Sequence, residues 1–325
     1  MKLPFALILA LGPVLVGQQV GVVGYGYVLP ARVDAAPGQL LTLVVTGVSR
    51  DLKQTIRAPG GTDLPTSLGG ISVGYWQSTP RPAPILEVRP FSTCSDPFLQ
   101  ATCSSLTGIT IQVPLDAQSC PQCPPYGIAV GLLNLVQNGT VGLLADVEPL
   151  ADQVHMVTGC DPFMTTVNYA AHDPSGLPCA TVVAHADGSL VSVNTPAKAG
   201  EELVAYAVGL GQTNPPSVTG KLVTTAVPTQ TTFTLDFNYR PNALAAKPLP
   251  NAPQPLFAGL TPGYVGLYQV NFVVPPVPQG TPACVDTSNL LPAPGQNFVQ
   301  SNLTVSVGGA FSFDGARICV AVPTP

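Results

Sequence analysis

The sequence predicts an all-β protein built from two tandem β-sandwich domains, and three observations support this fold class. Only 9% of its 325 residues are charged, against about a quarter in an ordinary soluble domain. Glycine and proline are abundant, with 32 and 37 residues, and they divide the chain into short apolar stretches. After the N-terminus these stretches alternate or run for a few residues, as strands do, without a helical period.

The N-terminus has the pattern of a secretory signal peptide. Met1-Lys2 precedes the apolar run Leu3–Val16, and Gly17 follows it, which matches a positive start, an apolar core and a small residue at the cleavage site. We therefore predict that residues 1–17 are removed and that the protein is secreted, either extracellular or on the cell surface. The alternative, a membrane anchor, is disfavoured because the run is shorter than the ~20 residues of a span and contains Pro13. We predict no membrane span in the mature chain.

Seven candidate strands lie in the first half of the chain, each bounded by Gly, Pro, Asn or Asp. Asn138-Gly139, between the last two, is typical of a hairpin turn. The candidates are Val20–Leu29, Leu40–Val48, Gly70–Trp76, Ile85–Val88, Ile109–Val113, Ile128–Val136 and Thr140–Val147.

A second set of seven candidate strands fills the other half. They are Ala180–His185, Leu190–Val193, Glu202–Val208, Thr231–Phe237, Leu267–Val274, Leu303–Val307 and Arg317–Val322. Seven short strands in each half are the pattern of an immunoglobulin-like sandwich. We therefore predict an N-terminal sandwich over residues 18–152 and a C-terminal sandwich over residues 153–325, with the boundary near Pro149–Gln153.

Glycine, proline and tyrosine mark special backbone positions in the second half. Gly209 and Gly211 end an apolar strand, which predicts a positive φ or a close backbone approach. We expect Tyr264 and Tyr268 at a sandwich corner, with the phenol bonded to backbone. Pro-rich patches are predicted to be loops, and they lie at Pro80–Pro84, Pro241–Pro255, Pro275–Pro282 and Pro292–Pro294.

Eight cysteines in an exported chain predict a disulfide-stapled protein. They are Cys94, Cys103, Cys120, Cys123, Cys160, Cys179, Cys284 and Cys319. Connectivity stays open, because eight cysteines allow on the order of 100 pairings. Proximity favours 160–179, 284–319 and pairing within the first four, such as 94–103 and 120–123. Redox use of the C-x-x-C at 120–123 requires a helix N-terminus, which Pro124-Pro125 disfavours; a zinc site at these four cysteines is the other alternative.

The chain resembles a known family through a series of motifs. The segment Leu64–Val73 reads LPTSLGGISV, and Pro37–Leu41 reads PGQLL. The second-half motifs are Ala186–Leu190 (ADGSL), Asn194–Ala197 (NTPA), Ala199–Glu202 (AGEE), Tyr206–Gly211 (YAVGLG), Phe257–Gly263 (FAGLTPG), Val265–Asn271 (VGLYQVN) and Leu303–Gly309 (LTVSVGG). Together they resemble the uncharacterised C-terminal domain family of Solibacter-type acidobacterial secreted proteins, over most of residues 35–322.

This resemblance implies tandem immunoglobulin-like sandwiches on exported bacterial proteins. The family carries no established activity, so the resemblance supplies no catalytic residue. The cysteines and the inserts at Phe91–Thr107 and Pro282–Phe298 depart from the family pattern.

No motif in the sequence predicts catalysis. Gly70–Gly74 matches the hydrolase pattern G-x-S-x-G, but that pattern requires a strand, a sharp turn and a helix after the serine. Here Ser72 falls inside an alternating strand. The carboxylates are few and form no acid–base pair. We therefore predict a protein that is not an enzyme and has no cofactor.

Metal and nucleic acid are also disfavoured as ligands. His155, His172 and His185, with Asp173 and Asp187, lack close ligand spacing, so no metal site is predicted. The net charge of −5 and the absence of a basic stripe disfavour nucleic acid.

The first functional hypothesis is an extracellular structural protein that assembles with copies of itself into a filament or surface layer. The segment 18–30 is apolar, glycine-rich and β-prone, so it could complete the sheet edge of a neighbouring copy. The assembly residues would be Val20, Val22, Val23, Tyr25, Tyr27 and Leu29. In the alternative, this segment forms the first strand of its own sandwich.

The second hypothesis is a cell-surface adhesion module that binds a polysaccharide or a protein. The insert Phe91–Cys123 would supply the surface, since stapled loops hold their shape. Sugar binding relies on exposed aromatic side chains; Trp76 is the only tryptophan and aromatics make up only 6% of the chain, although an exposed Tyr75-Trp76 pair could serve. A secreted enzyme is the third hypothesis, and no group of residues supports it.

Overall fold

The computed structural model describes residues 20–22, 33–45, 48, 52–92, 105–119, 131–138, 140–161, 179–286 and 298–323. Over these residues the chain is all-β, as the sequence predicts, and forms no helix. Accordingly, no helix of the described residues has the length and apolar character needed to cross a bilayer.

The described residues of the first half form eleven strands. They are β1 (Val20–Val22), β2 (Val33–Ala35), β3 (Leu40–Val45), β4 (Ile56–Arg57), β5 (Ser67–Leu68), β6 (Ile71–Trp76), β7 (Pro80–Ala83), β8 (Ile85–Ser92), β9 (Ser105–Gln112), β10 (Gly131–Gln137) and β11 (Thr140–Pro149). The first sheet has the order β1-β3-β9-β8-β4. The second has the order β2-β11-β10-β6-β5, and β7 also pairs with β6.

The two sheets of the first half enclose one apolar core. Alternate residues of each strand point inward, so Leu43 and Ile109 of the first sheet lie in the same buried cluster as Val73 and Leu133 of the second. All strand pairs are antiparallel except β2–β11, which is parallel.

The described residues of the second half form nine strands. They are β12 (His155–Met156), β13 (Val183–Ala184), β14 (Glu202–Val208), β15 (Val227–Pro228), β16 (Thr234–Asn238), β17 (Phe257–Leu260), β18 (Tyr268–Val273), β19 (Leu303–Gly308) and β20 (Phe313–Ile318). One sheet has the order β12-β14-β18-β17-β15 with β13 on β14, and the other has the order β16-β19-β20. Leu203 and Phe272 of the larger sheet share a core with Val305 of the smaller one.

The structure overturns several sequence predictions about individual residues and segments. Pro80–Pro84 was predicted as a loop, but Pro80–Ala83 forms β7, which pairs only with β6; proline is tolerated at such an edge because only one side of the strand is bonded. Leu190–Val193 forms no strand, only a bridge from Leu190 to Ala184. Tyr264 is 56% exposed and is no corner residue.

Both glycine predictions are confirmed, and so is the predicted bond from the phenol of Tyr268 to backbone. Gly209 and Gly211 have φ values of 78° and 83°. Tyr268 is fully buried, and its phenol donates a hydrogen bond to the carbonyl oxygen of Gly211. This bond holds the end of β14, the neighbour of β18, at the junction between the halves.

Two disulfides join the cysteine pairs that proximity favours in the second half. Cys160 bonds to Cys179 with a Cα–Cα distance of 5.7 Å, and Cys284 bonds to Cys319 with a Cα–Cα distance of 5.9 Å. The latter ties the segment after β18 to the end of β20. Cys94, Cys103, Cys120 and Cys123 lie outside the described residues.

The two halves contact each other directly. Leu40 of β3 lies in one apolar cluster with Val157 and Val208 of the second half. The backbone N–H of Gly220 donates to the side-chain oxygen of Gln112 at 2.6 Å. The predicted boundary falls between β11 and β12, where the chain passes from one half to the other.

Candidate functional site

The strand β1 lies at the edge of the first sheet and pairs with β3 of the same chain. The register places Val20 opposite Val45, Gly21 opposite Val44 and Val22 opposite Leu43. Pairing within the chain is the alternative that the sequence left open for segment 18–30. Of the six predicted assembly residues the structure describes Val20 and Val22; Val23, Tyr25, Tyr27 and Leu29 lie outside the described residues.

The partner strand β3 is apolar and buried on both faces. All six of its residues are buried. Leu41, Leu43 and Val45 face the core, whereas Leu40 faces the second half. The other edge of β3 is bonded to β9. In the described part of the chain, β1 covers the edge of β3 opposite β9 over Leu43–Val45.

A row of exposed side chains crosses the outer face of the second sheet. Trp76 of β6 lies opposite Leu132 of β10 on one side and opposite Pro80 of β7 on the other. Leu132 in turn lies opposite Asp146 of β11. Paired residues share a face, and all four are exposed, Trp76 by 48%. We call these four residues the Trp76 row.

A shallow groove of about 440 Å³ lies beside the Trp76 row and includes Pro80, Pro82 and Asn134 in its lining. Gly74 forms its floor. A Cβ atom at Gly74 would come within 2.2 Å of Oδ1 of Asn134 and within 3.3 Å of Nε1 of Trp76. The absence of a side chain at Gly74 therefore leaves room for the amide of Asn134 and the indole of Trp76.

A proline-rich segment lies along the outer face of the smaller sheet in the second half. We call residues 240–250 the strap. Thr304 donates its hydroxyl to the carbonyl of Ala243 at 2.7 Å, and the N–H of Ala246 donates to the hydroxyl of Ser306 at 3.0 Å. A Cβ atom at Gly308 would come within 2.8 Å of Pro248. The sheet is therefore shaped to receive the strap.

The strap presents two leucines to solvent. Leu244 is 75% exposed and Leu249 is 73% exposed, and Lys247 between them is exposed as well. Ala243 and Pro248 are buried against the sheet. From the sequence, this segment is predicted only as a loop. The pattern that could have indicated a surface is a pair of leucines in a proline-containing segment.

His155 is held between two carboxylates. Its Nδ1 lies 3.0 Å from Oδ2 of Asp314, and its Nε2 lies 3.0 Å from Oδ1 of Asp161. Burial lowers the pKa of His155, but the hydrogen bonds and charges of Asp161 and Asp314 outweigh it and raise that pKa to about 9. The imidazolium therefore clamps β12 to β20 and to Asp161, the residue that follows Cys160.

This clamp predicts a loss of stability at alkaline pH. The folded pKa lies above the unfolded value of about 6.5, so the contribution is complete below pH ~6.5 and disappears as the pH rises to about 9. We expect the free energy of unfolding to fall by up to about 3 kcal/mol across this window, measured by urea titration at several pH values. H155Q should abolish this pH dependence. H185Q serves as the matched control and should retain it; an unchanged profile in H155Q contradicts the clamp.

Among the residues that the structure describes, neither His185 nor Ser72 lies in a catalytic arrangement. Nδ1 of His185 lies 2.6 Å from Glu201 on the surface, whereas His172 and Asp173 lie outside the described residues. Within the described ranges no three His, Cys, Asp or Glu side chains are placed to hold a metal ion. Ser72 lies in the middle of β6, not at a turn into a helix, so the G-x-S-x-G pattern lacks its geometry.

A second groove, of about 530 Å³, lies between the two halves. Its charged groups are paired with each other: Lys221 donates to Asp63 at 2.7 Å, and Nη1 of Arg81 lies 3.1 Å from Asp116. The first pair joins the two halves, whereas the second lies within the first half.

No protein-family model matches the chain, and no curated protein matches it.

Proposed function

We propose that this protein is a non-enzymatic extracellular structural protein that assembles with copies of itself by exchanging β1. The observation that carries the proposal is the position of β1. It is a three-residue strand at the edge of the first sheet, near the N-terminal end of the chain, and it covers a strand that is buried on both faces. Exchange of such an element between copies preserves every contact.

In the assembly, β1 of one copy pairs with β3 of the next. Backbone hydrogen bonds supply the affinity in this type of strand addition. Because donor and acceptor occupy different parts of the surface once β1 has left its own sheet, the contact is head-to-tail. Repetition of a head-to-tail contact that does not close gives a filament, and lateral packing of filaments gives a surface layer.

The proposed architecture is two immunoglobulin-like sandwiches, in a chain of the secreted family that it resembles. In support, each half has two sheets around one core. The two disulfides agree with export to an oxidising compartment.

The exchange is tested by prolines in β1. Alternate N–H groups of a strand face its partner, so in G21P/V22P one of the two prolines removes a bond to β3. We expect the variant to form smaller assemblies than the wild type in sedimentation velocity, while it retains the β-rich circular dichroism of the wild type. The matched control, G21A/V22A, keeps both N–H groups and should still assemble. Filaments of undiminished size in G21P/V22P contradict the proposal.

Adhesion through the insert Phe91–Cys123 remains the alternative function. The structure describes only residues 91–92 and 105–119 of that insert, and most of these belong to β8 and β9. No contact among them favours a ligand over self-association.

A further inference from the structure

We infer that the strap of one copy docks on the Trp76 row of a second copy. This inference rests on the proposed self-assembly and adds a second contact to the exchange of β1. Its starting point is that one chain carries two exposed apolar surfaces, the row on the first half and the strap on the second half.

The two surfaces are complementary in kind. Proline-rich segments in an extended conformation dock on surfaces lined by aromatic side chains, because they lose little conformational entropy on binding. The strap offers Leu244 and Leu249 at more than 70% exposure. The row offers the indole of Trp76 beside Leu132, with Pro80 at its end.

The two surfaces also agree in length. The row crosses four adjacent strands, and three spacings of about 4.8 Å give ~14 Å. Leu249 lies five positions after Leu244, and an extended proline-rich chain rises about 3.1 Å per residue, which gives ~15 Å. Both leucines can therefore reach the row at the same time.

The charges at the two surfaces are opposite. Lys247 stands exposed between the two leucines, and Arg240 is exposed at the start of the strap. The exposed carboxylate of Asp146 lies at the end of the row, opposite Leu132. Because only 9% of the residues are charged, few other charges compete with the attraction between these cations and Asp146. This attraction favours one orientation of the strap on the row.

The contact must form between copies. Within one chain the strap is held against its own sheet by Ser306, Thr304 and Gly308, and its leucines and Trp76 all remain exposed. The strap and the row are different surfaces, so each copy offers one to each neighbour. The contact is therefore heterologous, like the exchange of β1, and extends the same open array.

The test uses full-length variants in the G21P/V22P background, where strand exchange is removed. One variant adds W76A, which disables the row, and another adds L244S/L249S, which disables the strap. By sedimentation velocity, we expect each variant alone to associate at least tenfold more weakly than the G21P/V22P parent. Mixed together, they should form 1:1 dimers and nothing larger, because only one intact row and one intact strap remain.

The matched control is L190S, which removes a leucine of 57% exposure outside both surfaces and should associate like the parent. Equal association of W76A, L244S/L249S and the parent overturns the inference. So does the finding that W76A changes only binding to a neutral polysaccharide on a glycan array, which would assign the row to sugar.

These outcomes separate the two contacts. If the surface variants associate like the parent while G21P/V22P alone abolishes filaments, docking is wrong and strand exchange stands. If G21P/V22P assembles like the wild type while W76A does not, strand exchange is wrong and docking stands.

Discussion

Replacement of Gly209 by alanine is expected to destabilise the protein by about 3 kcal/mol. Gly209 has a φ of 78°, which is unfavourable for any residue with a Cβ atom. The added Cβ would also lie 2.0 Å from the carbonyl oxygen of Gln153. That oxygen belongs to the backbone that joins the two halves and also packs close to β14, so it cannot move aside as a flexible side chain would.

The measurement for G209A is the free energy of unfolding in guanidinium chloride. Gly188 supplies the matched control, because its φ is 84° and a Cβ there would meet no atom within 4 Å. G188A therefore isolates the cost of the dihedral angle, which is about 1 kcal/mol. Equal losses in the two variants would show that the close approach at Gly209 contributes nothing.

Replacement of Asp152 by alanine is expected to destabilise the protein by about 3 kcal/mol. The carboxylate is fully buried and accepts hydrogen bonds from the turn between β19 and β20. The donors are the backbone N–H groups of Ala310, Phe311 and Ser312 and the hydroxyl of Ser312. Alanine would leave these donors without an acceptor at a site closed to water.

The measurement for D152A is chemical denaturation, together with hydrogen exchange of the amides of residues 310–312, which should lose protection. D187A is the matched control, because Asp187 is an exposed loop carboxylate that bonds only to nearby Ser189 and its removal should change stability little. If D152A unfolds at the same denaturant concentration as D187A, the carboxylate does not anchor the turn.

The alternation of apolar and polar residues, together with the Gly, Pro, Asn and Asp residues that bound each stretch, is sufficient to predict the all-β class and several long strands. Gly70–Trp76 alternates and becomes β6, with Tyr75 buried and Trp76 exposed; the same alternation makes the expected exposure of Tyr75 wrong. β7 was missed because its prolines indicate a loop unless the neighbouring strand is known. Local patterns thus predict strands better than they predict edges.

Local sequence patterns do not predict the side-chain clusters, because the members of a cluster lie far apart in the chain. His155 and Asp314 are 159 residues apart, and no local pattern links them. The strap is visible in sequence as a run of prolines, but its leucines gain meaning only when the sheet beneath it is known to bury Ala243 and Pro248. The row likewise depends on the register of four strands.

Electron microscopy of the exported protein, collected from culture without denaturant, tests the central claim most directly. Self-assembly by exchange of β1 predicts regular filaments or sheets in which each copy contacts the next head-to-tail. Dispersed single particles, each of the size of one chain, in a culture that contains abundant protein would contradict self-assembly.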